Sequence, residues 1–167
     1  MERKTYTLND GREINFRPLQ PTDREQLIQF YRSMSENALR WTNPPTDKEI
    51  DQKIRFSDYF VSLVTEHDKK VIGYGEIQKD SRRLDGELNI HIHQDYQGVG
   101  LGTTMMIMLM KDATDQKLHK INLKVAAENR RAVHLFMKFG FQEQKTTKET
   151  YSNKEHNTIF MSKALTL

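Results

Sequence analysis

The chain contains no cysteine. That single absence excludes a disulfide framework, thiolate zinc and iron–sulfur centres and a cysteine nucleophile. Long apolar runs are missing as well. The most apolar stretch, residues 105–110, falls far short of the roughly 18 residues a membrane span needs. An excess of one charge is nearly absent, because 26 Lys and Arg against 23 Asp and Glu leave only +3. With a sequence pI near 9.0, this surplus is too small and too dispersed for the clustered basic face of a nucleic-acid binder. The opening Met1-Glu2-Arg3-Lys4-Thr5-Tyr6 has no apolar stretch behind its charges and does not read as a signal peptide. The expectation is a cytoplasmic protein without membrane or nucleic-acid partners. Proline and glycine are sparse (4 and 8), no linker interrupts the chain, and there is no internal repeat at a period of about 20–50 residues.

What is present fits one globular unit, and a single domain over residues 1–167 is expected. A chain of this length buries about 68–70% of the surface its unfolded form exposes. Mean hydropathy is low, at −0.79, but 8 Phe, 6 Tyr and 8 Met can fill a core. Residues 14–18 alternate as a short first strand that stops at Pro18. Leu27, Ile28, Phe30, Tyr31 and Met34 recur at helical spacing behind Pro21-Thr22-Asp23, and a second helix is read from Lys48 to about Phe56. Strands at about 59–65, 70–78 and 86–93 follow, joined by turns short enough to make neighbours antiparallel. A helix is predicted over 100–116, with its methionines in a half-buried core face. Then come a strand at 120–126, a helix at 130–139 closed by Gly140, and strands at about 141–151 and 158–165. The order β-α-α-β-β-β-α-β-α-β-β makes 86–126 a parallel crossover within an otherwise antiparallel sheet. The fold class is therefore α/β, a mixed, mostly antiparallel sheet with helices on both faces.

The most specific segment is Gln97-Gly98-Val99-Gly100-Leu101-Gly102-Thr103-Thr104, between the end of a strand and the start of a long helix. Free backbone N–H groups and the positive end of the helix dipole converge there as an anion site. Glycines let a pyrophosphate approach the main chain, and Thr103 or Thr104 adds a hydroxyl donor. A Walker A loop is excluded because no Gly-Lys-Ser/Thr occurs. The dinucleotide fingerprint fails because Met105 stands where its third glycine belongs and no acidic residue follows in Ile121-Asn122-Leu123-Lys124. Coenzyme A remains, beside the plainer alternative of a tight structural turn.

Gln97-x-x-Gly100-x-Gly102 resembles the Gln/Arg-x-x-Gly-x-Gly/Ala acyl-CoA pyrophosphate motif of the GNAT superfamily of N-acetyltransferases. Asn129-Arg130-Arg131-Ala132 followed by Lys138-Phe139-Gly140-Phe141 is similar to the family's second segment, and Phe16-Arg17-Pro18-Leu19 with Asp23 and Val71-Ile72-Gly73 also look like it. The resemblance covers nearly the whole chain and implies an acyl-CoA N-acyltransferase-like fold. It further implies acetyl-CoA as co-substrate, no metal, and direct attack of a primary amine on the thioester. By position it places Gln97, Gly98, Val99, Gly100, Leu101, Gly102 and Thr103 at the pyrophosphate. It sets the main chain of Ile90 and Ile92 beside the thioester and pantetheine, with Asn129 and Phe136 near the pantetheine. Phe136 stands where the family often has a tyrosine that protonates the departing thiolate.

A lysine-like amine has pKa about 10.4, so its deprotonation near pH 7 costs about 4.6 kcal/mol. A general base contributes typically about 10²–10⁴ in rate. Glu87, on the strand at 86–93, is the first candidate, and His91 the second. Under strict alternation Glu87, Asn89, His91 and His93 share one face opposite Leu88, Ile90 and Ile92, and only a local bulge would reverse this. His91 and His93 lack a third ligand at recognisable spacing, so no metal is expected. Arg130 and Arg131 are candidates for a coenzyme phosphate or simply a solvated helix turn. Arg40, Trp41, Pro44 and Pro45, between the first two helices, are candidates for acceptor selection. The segment around them weakly resembles the subgroup that acetylates protein lysines, so the acceptor is a small molecule or a protein. Homodimerisation is expected from family habit alone. The competing function is a non-catalytic acyl-CoA-binding or regulatory module.

Overall fold

The computed structural model describes residues 3–165. Met1 and Glu2, on which the reading of the N-terminus partly rests, lie outside them. The described residues form one eight-stranded sheet and four α-helices. Strands β1 (Lys4–Thr7), β2 (Glu13–Arg17), β3 (Phe60–His67), β4 (Lys70–Lys79), β5 (Asp85–Ile92), β6 (Lys120–Ala126), β7 (Gln142–Tyr151) and β8 (Lys154–Ala164) take the order β1-β2-β3-β4-β5-β6-β8-β7. All neighbours are antiparallel except β5 and β6. Helix α3 (Leu101–Asp115) makes the crossover between those two strands. No helix among the described residues is long and apolar enough to cross a membrane.

The helices divide between the faces. On one face α1 (Arg24–Ser33) and α2 (Asp47–Arg55) bury Leu27, Ile28, Phe30, Tyr31 and Ile50 against Val64, Val71 and Tyr74. Thr46 and Glu49 close a capping box at the start of α2, which gives this short, charged helix a defined first turn. On the other face α3 buries Leu101, Met105, Met106, Leu109, Met110 and Ala113 against Leu63, Ile77, Leu88 and Leu123. The methionines of α3 are thus largely core. Helix α4 (Arg130–Lys138) packs Ala132, Val133, Leu135 and Phe136 on the same side.

Two local features correct the expected order. A first strand, β1, precedes the one predicted at 14–18, and it pairs from Lys4↔Phe16 to Thr7↔Glu13. Its four residues are all exposed, so no apolar alternation marks it. Strand β8 starts at Lys154, not near 158, because Ser152 and Asn153 both take positive φ (49° and 64°) and make a two-residue turn. Elsewhere, pairing of β3 with β4 slips between Thr65 and Glu66, leaving Ile72 as an extra residue. The slip puts Val71 on the α1–α2 face together with Tyr74, three residues on, and Ile72 on the α3 face together with Ile77, pairs that strict alternation would separate.

Below this core a buried ion cluster fixes the entry to α1. Arg17 bonds Asp23 through both terminal nitrogens at 2.7 Å and reaches Glu66 on β3 at 2.6 Å. Both hydrogen-bonded carboxylates hold the guanidinium protonated, raising the Arg17 pKa further above its already high value against the cost of burial.

Gly86 sits where β5 pairs with β6, and a Cβ there would overlap the Ile77 Cγ2 methyl in the core. Gly86→Ala is therefore expected to cost about 1–3 kcal/mol. Urea unfolding should show a lower midpoint with an unchanged slope; an unchanged midpoint would mean that Ile77 has room to give.

Candidate active site

Strands β5 and β6 pair over only three positions, Asp85↔Lys120, Gly86↔Ile121 and Glu87↔Asn122. Beyond these they part, although each stays paired with its outer neighbour, β5 with β4 as far as Ile92 and β6 with β8 as far as Ala126. The His93 N–H donates to Ile72 O on the β4 side at 2.9 Å. Alternation along a strand then turns the N–H and C=O of Ile90 and Ile92 the other way, into the gap. The Gln97 amide closes that edge by donating to Ile92 O at 3.0 Å.

The gap opens into a cavity of about 490 Å³. Of the sequence-derived candidates, the structure brings Glu87, Ile90, His91, Ile92, Gln97, Asn129 and Phe136 together in its walls. Gly98, Val99, Gly100, Leu101, Gly102 and Thr103 lie outside that lining, around the start of α3. Gly98 and Gly100 take left-handed φ of 73° and 89°. The first bond of the helix runs from Thr104 N–H to Gly100 O, so the N–H groups of 101–103 stand outside its ladder. Leu101 itself is core, Gly102 packs near Leu135 and Ile92, and Thr103 is exposed. The Val99 carbonyl accepts from Asn9 N–H at 3.4 Å. Arg131 adds a charge that the sequence left undecided, its Nη1 lying 3.7 Å from where a Gly98 Cβ would sit.

Asn129 caps α4 by accepting from Ala132 N–H at 3.3 Å while facing the cavity. Phe136 meets Phe141 edge-on, with centroids 6.0 Å apart.

The other half of the cavity lies under α1 and α2. Strand β5 carries no bulge, and the pairs Tyr74↔His91, Glu76↔Asn89 and Gln78↔Glu87 put these side chains on the α1–α2 face. His91 Nδ1 shares a 2.7 Å hydrogen bond with Tyr31 Oη, and Nε2 shares one of 2.9 Å with Thr42 Oγ1. His93 turns away to Tyr96 and Asp95, so the two histidines do not form a pair. Glu76, buried to 3% exposure, meets Lys53 of α2, whose Nζ lies 2.8 Å from Oε1 and donates to Oε2 at 3.0 Å. Burial, then the Glu76 charge, raises the pKa of both Tyr31 and Tyr74 well above the usual phenol value, so both hydroxyls keep their protons.

Glu76, Lys53, Tyr74, Tyr31 and Thr42 escaped the sequence reading. The available signal was weak: Tyr74, Glu76 and Gln78 put polar atoms at alternate positions of an otherwise apolar strand. Of the candidates for acceptor selection, Trp41 and Pro45 line the cavity, with Arg40 stacked 3.6 Å over the Trp41 ring.

Comparison with known proteins places the chain in a family and a fold. Residues 24–141 match the Acetyltransferase (GNAT) family. The chain belongs to that family, whose members are acyltransferases. It is 32% identical over 84 residues to the L-amino acid N-acyltransferase MnaT of Escherichia coli (strain K12), a match that spans about half of each chain (47% and 48%). A GNAT-family acetyltransferase from Streptococcus pneumoniae superposes with a TM-score of 0.79 at 25% identity, covering 92% of this chain and 99% of that one. The spermidine N-acetyltransferase from Vibrio cholerae, solved with CoA and spermine, superposes at 0.72 with 24% identity, covering 90% and 95%.

Burial, reinforced by the nearby Lys53 charge, pushes the His91 pKa down to about 4. An unfolded histidine titrates near about 6.5. Between those values the unfolded chain binds the extra proton, so stability is complete above about pH 6.5 and is lost as pH falls toward 4. The difference in urea-unfolding free energy between wild type and His91→Gln should shrink over that window, by up to roughly 3 kcal/mol. A difference independent of pH would show that the ring is not held neutral.

Proposed function

We propose that the protein is an acetyl-CoA-dependent N-acetyltransferase acting on a primary amine by direct attack. The observation that carries this reading is the parting of β5 from β6 next to the left-handed glycines ahead of α3. Backbone groups of Ile90 and Ile92 turned into a gap need polar partners, and the amides of a pantetheine arm supply them. The free N–H groups ahead of α3, with the helix dipole and Arg131, suit a pyrophosphate. The residues present thus fit coenzyme A, whose acetyl thioester supplies the electrophile. The named relatives act on an L-amino acid and on spermidine; their common denominator is a primary amine.

In the proposed reaction the amine nitrogen bonds to the acetyl carbon, the carbon–sulfur bond breaks, and the ammonium proton passes to a base. Glu87 fits the base better than His91. Its carboxylate is exposed, faces the acceptor half and has no hydrogen-bonding partner among the described residues. Both nitrogens of His91 are occupied, and its low pKa makes it a poor proton acceptor. It serves as a positioning residue that ties Thr42, and so the α1–α2 connection, to β5. Phe136 has no proton to offer the sulfur; a thiol of pKa about 8.5 leaves as thiolate. That missing hydroxyl is also what favours the second reading, an acyl-CoA-binding module without catalysis.

Calorimetric titration with acetyl-CoA should show saturable binding. Gly100→Asp, at φ 89° and with a carboxylate against the helix terminus, should weaken it at least about tenfold while the thermal midpoint still shows a folded protein. No binding to wild type would overturn the proposal. Binding without transfer to any amine would select the module.

A further inference from the structure

The acceptor half of the cavity discriminates by charge and by width. We propose that it takes a slender primary amine carrying a second positive charge a few carbons away, that is, a linear di- or polyamine. This rests on the acetyltransferase reading above for its chemistry, though not for its binding.

Charge is the first argument. Glu49, Glu76, Glu87 and Glu149 line the cavity against Lys53 and Lys124, leaving two negative charges, since the half-buried His91 ring, bonded at both nitrogens, is neutral. Lys53 is committed to Glu76, and Lys124 stands 3.8 Å from Glu149. Neither ammonium is left for the carboxylate of an α-amino acid, whereas Glu87 remains unpartnered among the described residues. Beside Glu76, the buried Tyr74 hydroxyl in the cavity wall has no partner in good hydrogen-bond geometry. A buried polar atom without a partner is costly, and an ammonium or a neutral amine with its N–H donors and lone pair supplies one.

Width is the second argument. The turn between β7 and β8 closes over the α1–α2 connection. Ser152 Oγ donates to Leu39 O at 2.7 Å and lies 3.3 Å from Thr42 O, Ser152 N–H donates to Asn43 Oδ1 at 3.3 Å, and Asn43 Nδ2 donates to Thr150 O at 2.9 Å. These bonds join the two walls, which line the cavity through Trp41, Asn43, Thr150 and Tyr151, into an arch. An unbranched alkylamine passes beneath an arch; a folded protein surface does not.

The test titrates putrescine, n-butylamine, spermidine, glycine and Nα-acetyl-lysine amide into the protein, alone and saturated with CoA, and then measures kcat/KM for each with acetyl-CoA. Putrescine and spermidine should bind at least about tenfold tighter than n-butylamine, and added salt should shrink that margin. Glu149→Gln, away from the proposed base, should reduce the putrescine-to-butylamine ratio. Glu87→Gln, which removes the base proposed for the reacting nitrogen, should lower turnover of both amines alike and leave the binding ratio intact. Equal binding of the two amines, no detectable binding of either, or preference for glycine or the lysine amide would each overturn the proposal. Absence of acetyl transfer with the binding ratio preserved would instead strike the acetyltransferase reading and leave this one standing.

Discussion

The structure depends on one interrupted ladder. Parallel strands β5 and β6 hold each other for three residues and then let go, while their outer partners keep both of them straight. An edge inside a sheet leaves N–H and C=O groups without ladder partners, to be met by water, a side chain or a ligand. The neighbouring features agree with this. Gly86, lacking a Cβ, lets Ile77 fill the space behind the last paired residues, and Gln97 satisfies the exposed Ile92 carbonyl at the far end. The gap is therefore bounded at both ends by specific contacts, which makes it a slot of fixed length.

The same strand separates two chemistries by parity. Because β5 runs without a bulge, Leu88, Ile90 and Ile92 belong to the α3 side and Glu87, Asn89 and His91 to the α1–α2 side. The even-numbered residues present main chain to the slot, and the odd-numbered ones present side chains to the cavity under α1 and α2. The neutral His91 ring, clamped between Tyr31 and Thr42, and the Lys53–Glu76 pair anchor α1, α2 and the loop between them to this face. Buried ion pairs add little net stability, but breaking one leaves an uncompensated charge. Their value here is that they fix where the cavity wall stands.

Much of this was legible in the sequence, for physical reasons that also mark where reading failed. The strand at 120–126 was found to the residue because Ile121, Leu123 and Val125 alternate cleanly. The glycine turn ahead of α3 and the mixed sheet with helices on both faces were likewise accessible from local pattern, though the left-handed conformation of Gly98 and Gly100 was not. Strand β1 was not, since an exposed edge of Lys, Thr, Tyr and Thr needs no apolar face. The Lys53–Glu76 pair was invisible because its members lie 23 positions apart and each is unremarkable in its own segment. His91 could be ranked as a base only in ignorance of its neighbours. A hydroxyl on each nitrogen is a tertiary fact, supplied by residues 60 and 49 positions away.

The unforeseen hairpin of β1 and β2 has a further consequence for the glycine segment. A loop rich in glycine loses more entropy on ordering than any other, so left alone it would have to be fixed by its ligand at the expense of affinity. Here the hairpin turn fixes it beforehand. Asn9 donates to Val99 O, and its side chain lies against Gly100, 3.2 Å from where a Cβ would stand. Arg12 donates to Asp95 O at 3.0 Å and stacks 4.1 Å over Tyr96, whose hydroxyl in turn meets His67 Nδ1 at 2.6 Å. The glycine segment is thereby held from β3 and from the N-terminal hairpin as well as from α3. The hairpin contributes no group to the cavity lining, yet it sets the ordering cost that any ligand at the glycine segment must meet. For the pyrophosphate proposed above, affinity would then be partly decided by residues that sequence motifs leave out.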